Sequence, residues 1–491
     1  MADSNEDAVM APSVMSDKEV RDLISYYKSR DVRKRLDEYC NYSAKKELSC
    51  EYLIGFGEPL KRLGYNVPVM GVPAHRLDDL IDMGLDLFRS VWDHEGTLAI
   101  LDIEYFNLDS LATLYANPVK YFKLLEPTYR AITDVLDGYG ITHLNNTTPS
   151  GYHFESKIPF STKAHKKLEK IGHLESSLKS QYASLPESDH KCTRKMTAGA
   201  ALGYSAIGRL MEFLCHRVIE AAGPSSKLPI TIADTAPGEN DMRREGVSLD
   251  ITQYGDNLNM RSIRFAFSGH QKHKVYVNRF GADLARRTPV YACVPRNDHT
   301  IKELYDVRKG LDSAREYAAT VSARIPKASR GWAKLADDYM ASSLFAFHRE
   351  FDSVNHDPRD RWTKTYLDLD LERMPACVAM PLMNANPWLL MPTNIQTVCR
   401  VFYAMGWHPK HIAGMIRAHY SRGPYWPIDW NKYNAEVKAN FWVRVYCGMI
   451  ATGTDSLDDL NCASQAFKWF CPKPFCGHNL ADYRAKIESR A

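Results

Sequence analysis

Residues 97–105 read Thr97-Leu98-Ala99-Ile100-Leu101-Asp102-Ile103-Glu104-Tyr105. So short an apolar run predicts a buried strand. Side chains on a strand alternate faces, so Asp102 and Glu104 point the same way, about 6.6 Å apart along the backbone. Ile103 packs behind them. Further along comes Pro149-Ser150-Gly151-Tyr152-His153-Phe154, a turn between two strand-like runs, and then Val247-Ser248-Leu249-Asp250-Ile251, with a third acid on an apolar run. Arg261, Arg264, Ser268, His270 and Lys272 follow directly.

These residue types suit one chemistry. Three carboxylates can hold two divalent ions, which phosphoryl transfer needs roughly 3.5–4 Å apart. Mg²⁺ prefers a few carboxylates together with substrate phosphate oxygens. Gly151 permits a tight turn that exposes backbone N–H groups, and Ser150 and His153 add donors. Arg264 and His270 can meet phosphates through charge-assisted hydrogen bonds. Alone, an Asp-x-Glu pair is most often a surface acid at a strand end. A decoy stands at Asp368, Asp370 and Glu372, where no Ser-Gly-x-His turn or basic stripe follows. Joint order, not any single motif, carries the reading.

The bulk composition bounds the rest. With 491 residues, 45% of them hydrophobic, the chain can bury at least two cores. Residues 1–16 read as a disordered leader without a secretory pattern. Eleven scattered cysteines then point to reduced thiols and a cytoplasmic, nucleoid or nuclear setting. No stretch of about 18 apolar residues occurs, so no membrane span is expected. Net charge is only +4, but Arg261–Arg287 is a basic stripe interrupted by Asp283 alone. Such a stripe suits phosphates.

Along the chain, residues 17–44 read as N-terminal helices and 45–290 as a catalytic core. Residues 291–345 read as a helical connector and 346–491 as a helical C-terminal domain. Within the core, the pattern predicts a helix at about 75–92, a helix over 117–138 stopped by Gly138 and Gly140, and strands at 141–144 and 152–158. A strand at 262–268 is expected to pair with 273–277 as a hairpin.

Taken with the run Arg264-Phe265-Ala266-Phe267-Ser268-Gly269-His270-Gln271-Lys272, the three motifs resemble, in order, those of the archaeo-eukaryotic primase superfamily, including its stand-alone primase-polymerases. The resemblance covers roughly residues 45–290. It implies an α/β fold, an RRM-like palm with an N-terminal αβ unit, followed here by an all-α C-terminal domain. It also implies template-directed nucleotidyl transfer on single-stranded DNA by a DNA primase and/or DNA polymerase, in replication of a mobile element, virus or plasmid. Asp102, Glu104 and Asp250 would then bind two Mg²⁺ or Mn²⁺ ions. Ser150, His153, Arg264, Ser268, His270 and Lys272 would hold the triphosphate. Tyr152 departs from the family, in which many members carry a basic or small residue there, so Lys157 or Lys272 is a further candidate for phosphate grip. Template strand, primer and nucleoside triphosphates are the implied partners. No Gly-x4-Gly-Lys-Ser/Thr loop occurs, so a helicase would be a separate protein. A metal-dependent nuclease, a template-independent nucleotidyltransferase and a non-catalytic replication-initiation module are the competing readings.

Residues 394–420 predict two helices broken at Gly406–Pro409, with another near 431–450. Arg417, His419, Arg422, Trp426 and Trp430 mix bases with aromatics, a combination used on single strands. Cys462, Cys471, Cys476 and His478 offer a loose four-ligand set for zinc. An iron–sulfur cluster or packed free thiols are the alternatives.

Overall fold

The computed structural model describes residues 14–40, 48–110, 112–175, 178, 197–235, 244–255, 261–383, 392–421 and 435–490. It is mixed α/β, and the chain divides into two units, each discontinuous in sequence. Among the described residues, one comprises 14–207 and 261–334, the other 208–255 and 335–490.

In the first unit, strands β1 (Tyr52–Phe56), β2 (Val69–Pro73), β3 (Asp86–Ser90), β4 (Gly96–Asn107), β5 (Leu144–Thr147) and β6 (Gly151–Pro159) build the sheets. β2, β1 and β3 are antiparallel neighbours. β5, β6 and β4 are likewise antiparallel, with Asp102 opposite His153 and Glu104 opposite Gly151. Leu98, Ala99, Ile100 and Leu101 are all buried, the mark of a strand covered on both faces. Asp102 and Glu104 alone break that burial in the middle of β4.

Two helices, Asp17–Lys28 and Arg30–Tyr39, open the unit. A reciprocal capping box between Ser16 and Glu19 starts the first. The helix Pro118–Tyr139 begins at the side-chain cap of Asn117 and ends at Gly140, whose φ of 70° is the left-handed stop expected there. Charged helices at Ile301–Arg308, Leu311–Thr320 and Ser329–Met340 follow the core.

Three local expectations are corrected. The helix at 75–92 is only Leu77–Asp82, because Gly84 turns left-handed and β3 follows. Its polar residues Asp86 and Arg89 are buried in ion pairs, which hid the strand from a pattern search. The strand at 141–144 begins only at Leu144. The hairpin at 262–268 and 273–277 does not form. In its place β9 (Ser262–Arg264) pairs with β3, Phe267 reverses the chain at φ 67°, and β10 (Gly269–His270) pairs with β11 (Tyr291–Ala292). Lys272–Val275 is a helical turn.

In the second unit, β7 (Ile230–Ile232) and β8 (Glu245–Asp250) run parallel. Beyond residue 345 every regular element among the described residues is helical. The break at Gly406 separates helices Pro392–Ala404 and Pro409–Tyr420 as expected. Buried Glu212 links helices of this unit. It bonds His348 at 3.0 Å and Arg444 at 3.0 Å, and Tyr446 reaches Thr235. Asp368 and Asp370 flank two short helical turns and Glu372 lies in the second, with Asp370 paired to Arg373.

Candidate active site

The β4–β6 register brings the first two motifs together. His153 Nε2 lies 3.4 Å from Asp102 Oδ2, and His153 Nδ1 lies 3.4 Å from Glu155 Oε1. The Tyr39 hydroxyl donates to the same Glu155 oxygen at 2.8 Å. Burial opposes a charge on His153, but Asp102 and Glu155 outweigh it and hold the imidazole protonated well above its ordinary range. Asp102 Oδ1 is buried and has no partner among the described residues. An oxygen left in that state fits a cation ligand.

Gly151 has a different reason from the one its turn suggested. Its backbone is not left-handed; a Cβ there would lie 1.7 Å from the carbonyl oxygen of Ile103. Only glycine lets β6 approach β4 that closely. Ser150 joins the same stitch through its carbonyl, which accepts from Tyr105 N at 2.8 Å. Tyr152 points the opposite way from His153, into a cluster with Tyr129 and Phe122. Tyr105 packs on Tyr121 with centroids 4.5 Å apart, a core role.

The expected phosphate residues divide. Arg264 is buried, donates to Asp86 Oδ2 at 2.7 Å and Gly269 O at 2.7 Å, and lies over the Phe88 ring. Ser268 Oγ donates to Gly269 O and accepts from Leu87 N. Both hold the β3–β9–β10 corner together. His270 Nε2 meets the Tyr115 hydroxyl at 2.7 Å. Burial, then the charges of Arg264, His273, Lys272 and Arg308, push its imidazole well below the ordinary value, so it is neutral. Lys272 is exposed. Lys157 is buried on Asp93 at 2.9 Å and is not available to phosphate. The basic stripe is likewise not one face: Lys274 turns inward to Glu19 at 2.9 Å.

Burial raises the Tyr115 phenol, opposed by Arg264 and reinforced by Glu104, which places Glu104 within electrostatic range of the Tyr115–His270 pair. Arg308 also belongs here. It is buried, donates to Thr148 O at 2.8 Å beside the Ser150 turn, and acts on both His270 and Tyr115. Asp102 and His153 thus face each other across β4 and β6, while His270 sits with Tyr115 and feels Lys272 and Arg308. Sequence reasoning missed Arg308, Glu155, Tyr39 and Tyr115. Glu155 alone carried a signal, being two residues from His153 and so on its face of β6.

Asp250 ends β8 in the second unit, where its Oδ1 accepts from Thr252 N at 2.8 Å and Thr252 Oγ1 at 2.5 Å. Among the described residues no group of three or more His, Cys, Asp or Glu side chains is gathered as a ligand set. In the tail, Cys462 Sγ lies 3.7 Å from His478 O and accepts from Leu480 N at 3.5 Å. Buried Cys377 has Cys471, Cys462 and Cys476 as electrostatic neighbours; burial and those thiols push it up to about 12. His419 is buried between the carbonyls of Leu382 and Tyr366, and Arg417 pairs with Glu436. Arg422, Trp426 and Trp430 lie outside the described residues. No helix among the described residues is long and apolar enough to cross a membrane.

No protein-family model matches the chain, and no curated protein is significantly similar to it.

Proposed function

We propose that this chain is a template-directed nucleotidyltransferase, a DNA primase and/or DNA polymerase acting on single-stranded DNA, with an RRM-like palm of the primase type. One observation carries the reading: β4 and β6 set Asp102 against His153, while Lys272 and Arg308 act on His270, whose partner Tyr115 also feels Glu104. Paired acids together with nearby cations would match the needs of a nucleotide whose triphosphate must be gripped while its α-phosphate reacts.

Asp102 and Glu104 would hold the divalent ions, and the resemblance gives Asp250 the third ligand place. Bound Mg²⁺ or Mn²⁺ supplies Lewis-acid stabilisation of the reacting phosphate and lowers the pKa of a 3′-hydroxyl. His153, charged and fixed between Asp102 and Glu155, adds positive charge beside the acid pair. Lys272 and Arg308 offset the negative charge that gathers on the β- and γ-phosphates as pyrophosphate leaves. The nucleotide and template partners, and a separate helicase, belong to this proposal.

One observation favours a second reading, a metal-dependent nuclease. Arg264 and Ser268 are committed to Asp86 and Gly269, which leaves fewer groups for a triphosphate. Unprimed single-stranded template, Mg²⁺ or Mn²⁺ and labelled NTPs or dNTPs separate the two. Nucleotide-dependent growth of products supports the proposal; shortening of the template without nucleotide supports the nuclease. Growth that survives Asp102→Asn with Glu104→Gln overturns the assignment of the acids.

A further inference from the structure

Two aromatic side chains of the second unit stand in solvent on backbone that ordinarily belongs to glycine. Trp469 is 78% exposed at φ 61°, and Phe475 is 103% exposed at φ 58°. Bulky residues are rare in the left-handed region, and such outliers cluster at functional sites. The helix Cys462–Phe467 closes with bonds from Trp469 N to Ala466 O and from Phe470 N to Gln465 O. Those two bonds wrap a helix end around a left-handed residue, the place glycine takes most often. Phe475 follows Pro474 in a turn. Proline first and a left-handed residue second is the order of a type II turn, where glycine or asparagine is the usual second residue. At both positions the sequence forgoes the easy residue and presents a ring to water.

The surroundings are basic. No Asp or Glu occurs between Asp459 and Asp482. Lys473, between the two rings, is exposed. The Arg244 guanidinium lies 4.4 Å over the Trp469 ring and also donates to Lys468 O. Isolated rings interleaved with cations along a stretch of sequence without acids match single-stranded nucleic acid: bases stack on the rings and cations track the phosphates. Duplex DNA hides its base faces in its own stack. A docked protein would call for a continuous apolar patch with few charges at its centre.

We propose that Trp469 and Phe475 form a base-stacking platform for single-stranded nucleic acid, with Arg244 and Lys473 attracting its phosphates. The platform lies in the second unit and does not depend on the nucleotidyl-transfer reading.

The test is anisotropy of a labelled oligothymidylate titrated with the full chain, without nucleotide or divalent metal. Asparagine tolerates left-handed backbone, so Trp469→Asn and Phe475→Asn remove the rings and leave the turns undisturbed. The double variant is expected to weaken binding by about tenfold or more, since each stacked base contributes at that scale. Trp469→Phe keeps a ring and retains most of the affinity, and a hairpin duplex competes poorly. An unchanged affinity in the double variant, a Trp469→Phe as weak as Trp469→Asn, or no binding by the wild-type chain each overturns the platform. So does loss of self-association in these variants with oligonucleotide binding intact, which would put a protein on the patch. Primer extension is a separate readout, so failure here leaves the acid-pair assignment standing.

Discussion

His153 stands directly across the β4–β6 pairing from Asp102, its Nε2 3.4 Å from the carboxylate oxygen, with Glu155 on its other side. This contact joins the acid motif to the turn motif and orders the predictions that follow.

Asp102→Asn and Glu104→Gln should each reduce metal-dependent nucleotide incorporation by about a hundredfold or more, the scale of losing a group aimed at transition-state charge. Far-UV circular dichroism should be unchanged, because both side chains are only half-buried at the strand centre. Asp250→Asn tests the third ligand place by the same assay.

Gly151→Ala should be destabilising by about 1–3 kcal/mol or more, the cost of forcing atoms into a packed site. Its Cβ would meet the Ile103 carbonyl at 1.7 Å, and backbone cannot yield as a side-chain tip can. Urea denaturation should show a lower midpoint, and activity should fall with it. A stability equal to the wild type would mean that β6 does not approach β4 this closely.

Arg264 and Lys272 should separate fold from function. Arg264→Ala strands buried Asp86 without its partner, and breaking such a pair typically costs about 3–5 kcal/mol. Lys272→Ala touches an exposed side chain, so the melting temperature should hardly move while KM for nucleotide rises. Equal losses of stability in the two variants would contradict the division.

Acid should destabilise the chain in part through buried histidines. Burial lowers His216 and His348 in the second unit to about 4, with Glu212 offsetting part of the effect for both. His273 in the first unit is lowered to about 4 as well. A histidine depressed in the folded state takes up its proton first in the unfolded chain. The stability it confers is therefore full above about pH 6.5 and lost as pH falls toward 4. Each site contributes on the order of 1–3 kcal/mol by linkage. Melting temperatures from pH 7 to 4 should fall, and His216→Asn should flatten the slope. A pH-independent melting temperature over that window would show these histidines to be solvated.

Local rules made several elements legible. Two-residue alternation placed Asp102 and Glu104 on one face of β4. Side-chain caps and a left-handed glycine bounded the helix Pro118–Tyr139, and Gly406 divided the helices on either side of it. Each of these depends on residues a few positions apart, which is why they are written in the sequence.

Partner choice between distant residues was not legible. Arg264 looked like a phosphate ligand until Asp86, 178 positions away, took its charge into the core. Arg308 carried no motif, yet it reaches the carbonyl of Thr148 across 160 positions and joins the site. Glu212 carried no motif, yet it pairs with His348 and Arg444, 136 and 232 positions away. The sequence by itself determined several helix caps and breaks, the shared face of Asp102 and Glu104, and which residue types could carry chemistry. Only the tertiary structure decided which charges face inward and neutralise one another and which remain available, because that depends on the neighbours that folding brings within a few ångströms.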